Sequence, residues 1–350
     1  MNCKMTIAAG LLAVACSAFA EKPTYKGPVK AEEFHVRDGI GHVMAKIRAG
    51  KEVGVAYFGG SITQMDGWRR LTQQELQRRY PKARFREINA ALGGTGSGLG
   101  VFRVGKDVIA QKPDLVFVEF ATNDSGVDSE EIQRNFDGIV RQIWANDPET
   151  DIVFVYTVTA KNVKSYLEGR RQPAALAMEE LAGHYGIPSV DWGVEVARRH
   201  RSGNLVMSMG EAYTALAPDI RNKDAEAIAM MKREGKTLFA KDGVHPALPG
   251  HEIYVSELFA LWDAMVDLPP ADHRVKGAEA YRTPKMERAR IVPIEQSMLD
   301  DGWEPLKSLT DGNWDQSLDG RHDQAPYFSS RAGKLWKATR SGATLTFRFQ

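Results

Sequence analysis

The sequence predicts an α/β fold in which a mostly parallel sheet is covered by helices on both faces. Three observations carry this. Short runs rich in β-branched and aromatic residues (Val53 to Phe58, Leu115 to Phe120, Ile152 to Val158) are continuous rather than alternating, as strands buried on both faces are. Helical patterns separate them at the spacing of βαβ units. The loops after the strands carry the conspicuous polar residues Ser61, Asn123 and Asp124 and the glycine Gly94, where ligands bind in such sheets.

Taken in order, Lys4, the apolar run Ile7 to Ala15 and the small-x-small site Ala18-Phe19-Ala20 predict a secretory signal peptide cleaved after Ala20. Both cysteines, Cys3 and Cys16, fall inside it, so the exported chain is expected to have no disulfide. Lipoprotein anchoring at Cys16 is the rival; Ala13 stands where a large apolar residue is usual. The location implied is secreted or periplasmic. With 46 basic and 45 acidic residues the chain is near neutral, which argues against a nucleic-acid partner, and no segment is apolar enough for a membrane span.

Gly41 to Ala49 reads as a helix ended by Gly50. The strand at Val53 stops at Gly59-Gly60-Ser61, where glycines permit a tight turn and Ser61 either caps a helix or serves as a nucleophile. Trp68 to Tyr80 is rich in helix formers, and Arg84 to Asn89 is a second strand delivering the glycine-rich run Gly93 to Gly98. A helix from about Leu99 to Gln111 leads to the strand Leu115 to Phe120 and then Asn123-Asp124. Ser129 opens a helix whose stripe is Ile132, Phe136, Ile139, Val140 and Ile143. The strand from Ile152, a helix over Pro173 to Tyr185 and a short strand at Ile187 to Asp191 follow. Ser202 to Lys241 shows no clear strand and reads as a helical or loop insertion. Asp242-Gly243-Val244-His245-Pro246 is a turn, a helix covers about His251 to Met265, and Leu268-Pro269-Pro270 marks a domain exit. Tryptophans, turn dipeptides and an alternating end (Ala343 to Phe349) give residues 271–350 a β-rich character, and at this length an incomplete module is expected.

Acyl transfer by a serine needs a base within reach, a group that orients the base, and donors aimed at the oxyanion. Ser61, His245 and Asp242 supply the serine, the base and the orienting group; the Ser61 and Gly94 amides and the Asn123 side chain supply the donors. Each is common singly; their order at strand ends is specific. That order resembles the SGNH hydrolases, the GDSL esterase/lipase family. The matching blocks are Gly59-Gly60-Ser61-Ile62-Thr63, Asn89 to Thr95, Ala121-Thr122-Asn123-Asp124 and Asp242 to Pro246. One departure is visible: Gly60 stands where the family's usual aspartate precedes the serine, a variation associated with carbohydrate esterase branches.

The resemblance implies a flavodoxin-like three-layer α/β/α hydrolase domain over residues 21–270. It implies a cofactor-independent esterase with Ser61 as nucleophile, His245 as base, Asp242 as orienter, and Ser61, Gly94 and Asn123 as oxyanion hole. The expected substrate is an O-acetylated polysaccharide; an acyl hydrolase of lysophospholipase or thioesterase type, or a non-catalytic carbohydrate-binding relative, is the alternative. A metal reading would gather Asp124, Asp242, His245 and His251, but no HExxH-type pair supports it and no metal ligand is expected. His35, His42, His184, His200, His273 and His322 have no partner spacing and are expected at the surface or in packing; His251 is expected to start a helix.

Overall fold

The computed structural model describes residues 31–210, 224–274, 281, 286–292, 294–306, 335–339 and 343–346. The expected signal peptide, Trp314 and His322 lie outside them.

The core sheet has six strands: β1 (Phe34–His35), β2 (Glu52–Gly59), β3 (Arg84–Asn89), β4 (Leu115–Glu119), β5 (Asp151–Tyr156) and β6 (Ser189–Asp191). Their order is β1-β6-β5-β4-β2-β3. All neighbours run parallel except β1, which pairs antiparallel with β6 at the edge. Leaving that edge aside, the parallel strands follow the flavodoxin-like order 2-1-3-4-5, with the switch point between β2 and β4.

Both faces of the sheet are buried, and the period of two divides each strand between two cores. Val53, Val55 and Tyr57 of β2, with Leu115 and Phe117 of β4, face one layer. That layer is α1 (Gly41–Arg48), α3 (Trp68–Arg79), α8 (Trp192–Arg201) and α10 (Leu248–Met265). Ala56 and Phe58, with Val116 and Val118, face the other, made of α4 (Ser97–Asp107), α5 (Ser129–Asn146) and α7 (Pro173–Tyr185). Continuous apolar runs were therefore the right signal for strands with no solvent face. Helix ends follow local chemistry: Asp128 caps α5 by accepting from the Glu130 amide at 2.9 Å, and Gly186 ends α7 at φ +68°.

Three elements were not expected. β1 is too short to show a pattern, α6 (Val163–Leu167) is a single turn or so, and α8 begins directly at the end of β6, capped by Asp191. The insertion after Ser202 also departs from expectation. Its β7 (Leu205–Val206) and β8 (Thr237–Leu238) pair in parallel around α9 (Asp224–Arg233). Two-residue strands carry no periodicity to read.

After Pro270 the chain first runs back along the core. The Tyr281 amide donates to Asp137 Oδ1 at 3.0 Å, Gln142 Nε2 donates to the Met286 carbonyl at 2.9 Å, and Arg141 pairs with Glu287 at 3.0 Å. The β-rich character emerges beyond it. β9 (Trp303–Leu306) pairs antiparallel with β10 (Leu335–Ala338), and Leu299 bridges Leu345 within the predicted alternating end.

Candidate active site

β2 leaves the sheet at Gly59 and turns through Gly60, whose backbone is extended (φ −92°, ψ −152°), into the one-turn helix α2 (Ser61–Gln64). Ser61 is the first helical residue, not the cap. Its hydroxyl instead meets the imidazole of a residue 184 positions away, with Oγ 2.8 Å from His245 Nε2. The bland expectation of a capping serine is thus set aside.

His245 sits in the turn closed by the Ala240–Pro246 bridge, shortly before α10. Gly243 shapes that turn. Its φ of +80° is one that side chains resist, and a Cβ there would fall 2.9 Å from that of Ala160. The Gly243 carbonyl accepts from the Ala160 amide at 2.7 Å, which ties the turn to the loop after β5. Asp242 Oδ2 lies 2.7 Å from His245 Nδ1, while its Oδ1 accepts the Val244 and His245 amides, each at 2.8 Å. Partial burial opposes the charged carboxylate. The bonds from the His245 ring and the two amides outweigh it and hold Asp242 down to about 2. An ionised Asp242 on Nδ1 selects the imidazole whose Nε2 can take the Ser61 proton.

Asn123, after β4, and Ser61, after β2, flank the switch point. The Asn123 amide occupies the space beside Gly60, where a Cβ would stand 1.9 Å from Oδ1. A residue with any side chain at position 60 has no room in this packing, which gives the Gly60 departure a physical reason. Gly94, the third expected donor, is exposed and left-handed (φ +72°). Its loop is drawn to α2 by the adjacent Gly93 amide, which donates to Gln64 Oε1 at 2.6 Å.

Two buried charged residues under these loops were missed by the sequence reading. Glu119 ends β4 and is fully buried. Its carboxylate accepts from Thr63 Oγ1 (2.9 Å), Thr157 Oγ1 (2.6 Å) and the Gly60 amide, so one side chain grips the Ser61 turn and the loop after β5. Burial pushes its carboxyl upward against those bonds. Arg103 of α4 donates to the Gly59 carbonyl at 3.1 Å and to the Ala90 carbonyl, and lies over the Phe58 ring at 4.4 Å from its centroid. It clamps the ends of β2 and β3 together. A signal existed for Glu119: a charge inside the otherwise apolar LVFVEF run is costly unless several donors meet it.

The four residues of the rejected metal reading are engaged separately. Asp124 accepts the Ser97 amide at 2.9 Å, and burial pushes its carboxyl up to about 6. Asp242 serves His245. His251 is buried in α10 against Gly67, whose Cβ would fall 2.2 Å from Nε2, and neither ring nitrogen has a partner among the described residues.

Burial lowers the His251 imidazole to about 4. It is neutral in the native state and takes a proton in the unfolded chain near pH 6.5, so its stabilising effect is complete above about 6.5 and is lost as pH falls through about 4. We expect wild-type stability to decline by about 3 kcal/mol from this residue across that window. A pH series of urea denaturation curves on wild type and His251→Met checks it: the variant's slope should be flatter, and identical slopes would refute the assignment.

Among known proteins, the GDSL-like Lipase/Acylhydrolase family matches residues 57–253. No curated protein matches the chain. A two-domain esterase active on acetylated mannans, crystallised with mannopentaose, superposes with TM-score 0.58 at 22% identity. The alignment covers 76% of this chain and 63% of that one, so the chain spans less than two thirds of that esterase's length. A variant of an acetyl xylan esterase from Geobacillus stearothermophilus gives TM-score 0.43 at 19% identity, over 63% of this chain and 96% of that one. Among the described residues no helix is long and apolar enough to cross a membrane.

Proposed function

The chain belongs to the GDSL-like lipase/acylhydrolase family, and from that premise we propose that it is a carboxylic ester hydrolase with Ser61, His245 and Asp242 as its catalytic triad. The observation that carries this reading is the relay from Ser61 Oγ through both ring nitrogens to a carboxylate, 2.8 and 2.7 Å long, at the switch point of the sheet. His245 Nε2 takes the Ser61 proton as Oγ attacks the ester carbonyl. The Ser61 and Gly94 amides and the Asn123 side chain bind the oxyanion. His245 then returns the proton to the departing alcohol, leaving an acyl-enzyme. Water, deprotonated by His245, releases the acid and restores Ser61.

The proposed substrate is an O-acetyl group on a polysaccharide. A long acyl chain needs a groove of apolar side chains. Among the described residues Leu99, Phe102, Ile291 and Val292 are exposed and adjoin one another, the Ile291 amide donating to the Phe102 carbonyl at 3.2 Å, so acyl-chain length is the variable the test below must read. The likeness to the mannan esterase and the Gly60 variation lend support to acetate. Export through the predicted signal peptide, and a β-rich module over residues 271–350 beside a hydrolase domain over 21–270, belong to the same proposal.

Acetate release from a panel of acetylated mannan, xylan and pectin, set beside p-nitrophenyl esters of increasing chain length, tests it. The expected result is a kcat/KM at least tenfold higher for acetate than for octanoate, with acetate freed from at least one glycan. A preference for long chains with no glycan deacetylation would favour the lysophospholipase or thioesterase reading.

A further inference from the structure

Away from the triad, at the amino-terminal edge of the sheet, His42, Asp151 and His273 converge. His42 lies in the first turn of α1, Asp151 begins β5, and His273 follows the Pro269-Pro270 exit. Each offers one ligand atom, and the three atoms lie within 4.8 Å of one another. We propose that these residues bind a divalent transition cation, of which zinc fits best, as a structural clip.

The ligand chemistry agrees. Two imidazoles and a carboxylate suit zinc and its first-row neighbours rather than calcium or magnesium, which prefer all-oxygen sets. Ligating histidines generally donate their second nitrogen to a backbone carbonyl or a carboxylate, which fixes the ring. Both do so here. His42 Nε2 lies 2.8 Å from the Ala271 carbonyl, which assigns Nδ1 to the cluster. His273 Nδ1 lies 2.9 Å from the Pro148 carbonyl, which assigns Nε2. The His273 ring is further fixed by stacking on Trp144, centroids 4.6 Å apart at 13°.

Asp151 is buried, with Oδ2 accepting the Val43 amide at 2.8 Å. His42 and His273 also border a small cavity of about 190 Å³, lined as well by Glu149, Asp272 and Arg274, which brings solvent to both imidazoles.

Such a cation would join α1, β5 and the segment leaving the hydrolase domain, holding the exit against the core. It would take no part in ester cleavage. β5 is six residues long, about 20 Å, and the triad sits at the other end of the sheet.

The test uses the full chain, stripped with chelator and dialysed against zinc chloride. Metal content by mass spectrometry should approach one zinc per wild-type chain and near zero for His42→Asn/His273→Gln. Zinc in large excess over Kd should raise the wild-type Tm by roughly 5 °C and leave the double variant unmoved. Cobalt in place of zinc should give visible bands of low-coordinate Co²⁺ in wild type only. Where the double variant misfolds, His42→Asn singly must still lower zinc affinity by at least tenfold. No zinc uptake by wild type, or equal uptake by the variants, would overturn the clip and point to a shared proton as what joins the three groups. Hydrolysis of p-nitrophenyl acetate that required zinc would overturn the structural assignment.

Discussion

Ser61→Ala is expected to lower kcat/KM for p-nitrophenyl acetate by a factor on the order of 10⁵, with the fold unchanged. The hydroxyl is the only group lost, and no core contact depends on it; its recorded partner is His245 Nε2 at 2.8 Å. What remains after its removal is the catalysis that a preorganised oxyanion hole and binding provide, because Gly94 and Asn123 are untouched. Steady-state kinetics and a circular dichroism spectrum measure both halves of the prediction. A second readout is covalent: wild type mixed rapidly with ester should show a burst and an acetyl mass increment on the Ser61 peptide. The alanine enzyme should show neither. Activity within tenfold of wild type would end the serine mechanism, and with it the acyl-enzyme.

Asp242→Asn should cost about 10⁴ in kcat while leaving the turn intact. The Asp242 carboxylate has two duties. Oδ1 collects the Val244 and His245 amides, and Oδ2 accepts from His245 Nδ1. An asparagine retains the first through its carbonyl but presents an NH₂ to the ring. Nδ1 must then accept, Nε2 carries the proton, and the imidazole faces Ser61 as a donor instead of a base. KM should move little, since the orienter does not touch substrate, so a loss confined to KM would contradict the assignment.

Asp242→Ala should cost at least as much in rate and also destabilise the loop, because both amides lose their acceptor. The sign with pH follows from the direction of the shift. A carboxyl held at about 2, against about 3.9 unfolded, stabilises the native loop above pH 4 and loses that effect as pH falls through about 2. Asp242 therefore stays charged through the whole range in which such an enzyme works.

What was legible along the chain was whatever local chemistry encodes. Val53 to Phe58 of β2, Leu115 to Val118 of β4 and Ile152 to Tyr156 of β5 are continuous apolar runs because both their faces are covered, so their composition identified them without knowledge of their neighbours. Pro173 and Gly186 mark both ends of α7, and the stripe of α5 matches its buried face. The proposed site residues were legible because ligand-binding loops join strand ends to helices, where glycine, serine and Asx residues gather for turn chemistry as well. Glu119, Arg103 and the His42–Asp151–His273 cluster were not found. Each takes its meaning from partners on other elements: Glu119 from Thr63 and Thr157, Arg103 from the carbonyls of Gly59 and Ala90, and Asp151 from two histidines 231 residues apart. Histidines expected to be surface or packing residues therefore include two of the proposed zinc ligands.

The sequence by itself determined the fold class, the order of the main strands and helices of the core, and the family, and it marked the four blocks proposed to be catalytic. Periodicity, turn residues and motif order are properties of neighbours along the chain, and they survive without knowledge of how strands are arranged. Only the tertiary structure decided that Ser61 points at His245 and does not cap its helix, that Asn123 fills the space beside Gly60, and that buried Glu119 ties the nucleophile turn to the next loop. Those contacts depend on strand order and register, which set which loops meet at the switch point; a one-dimensional pattern holds no record of that distance.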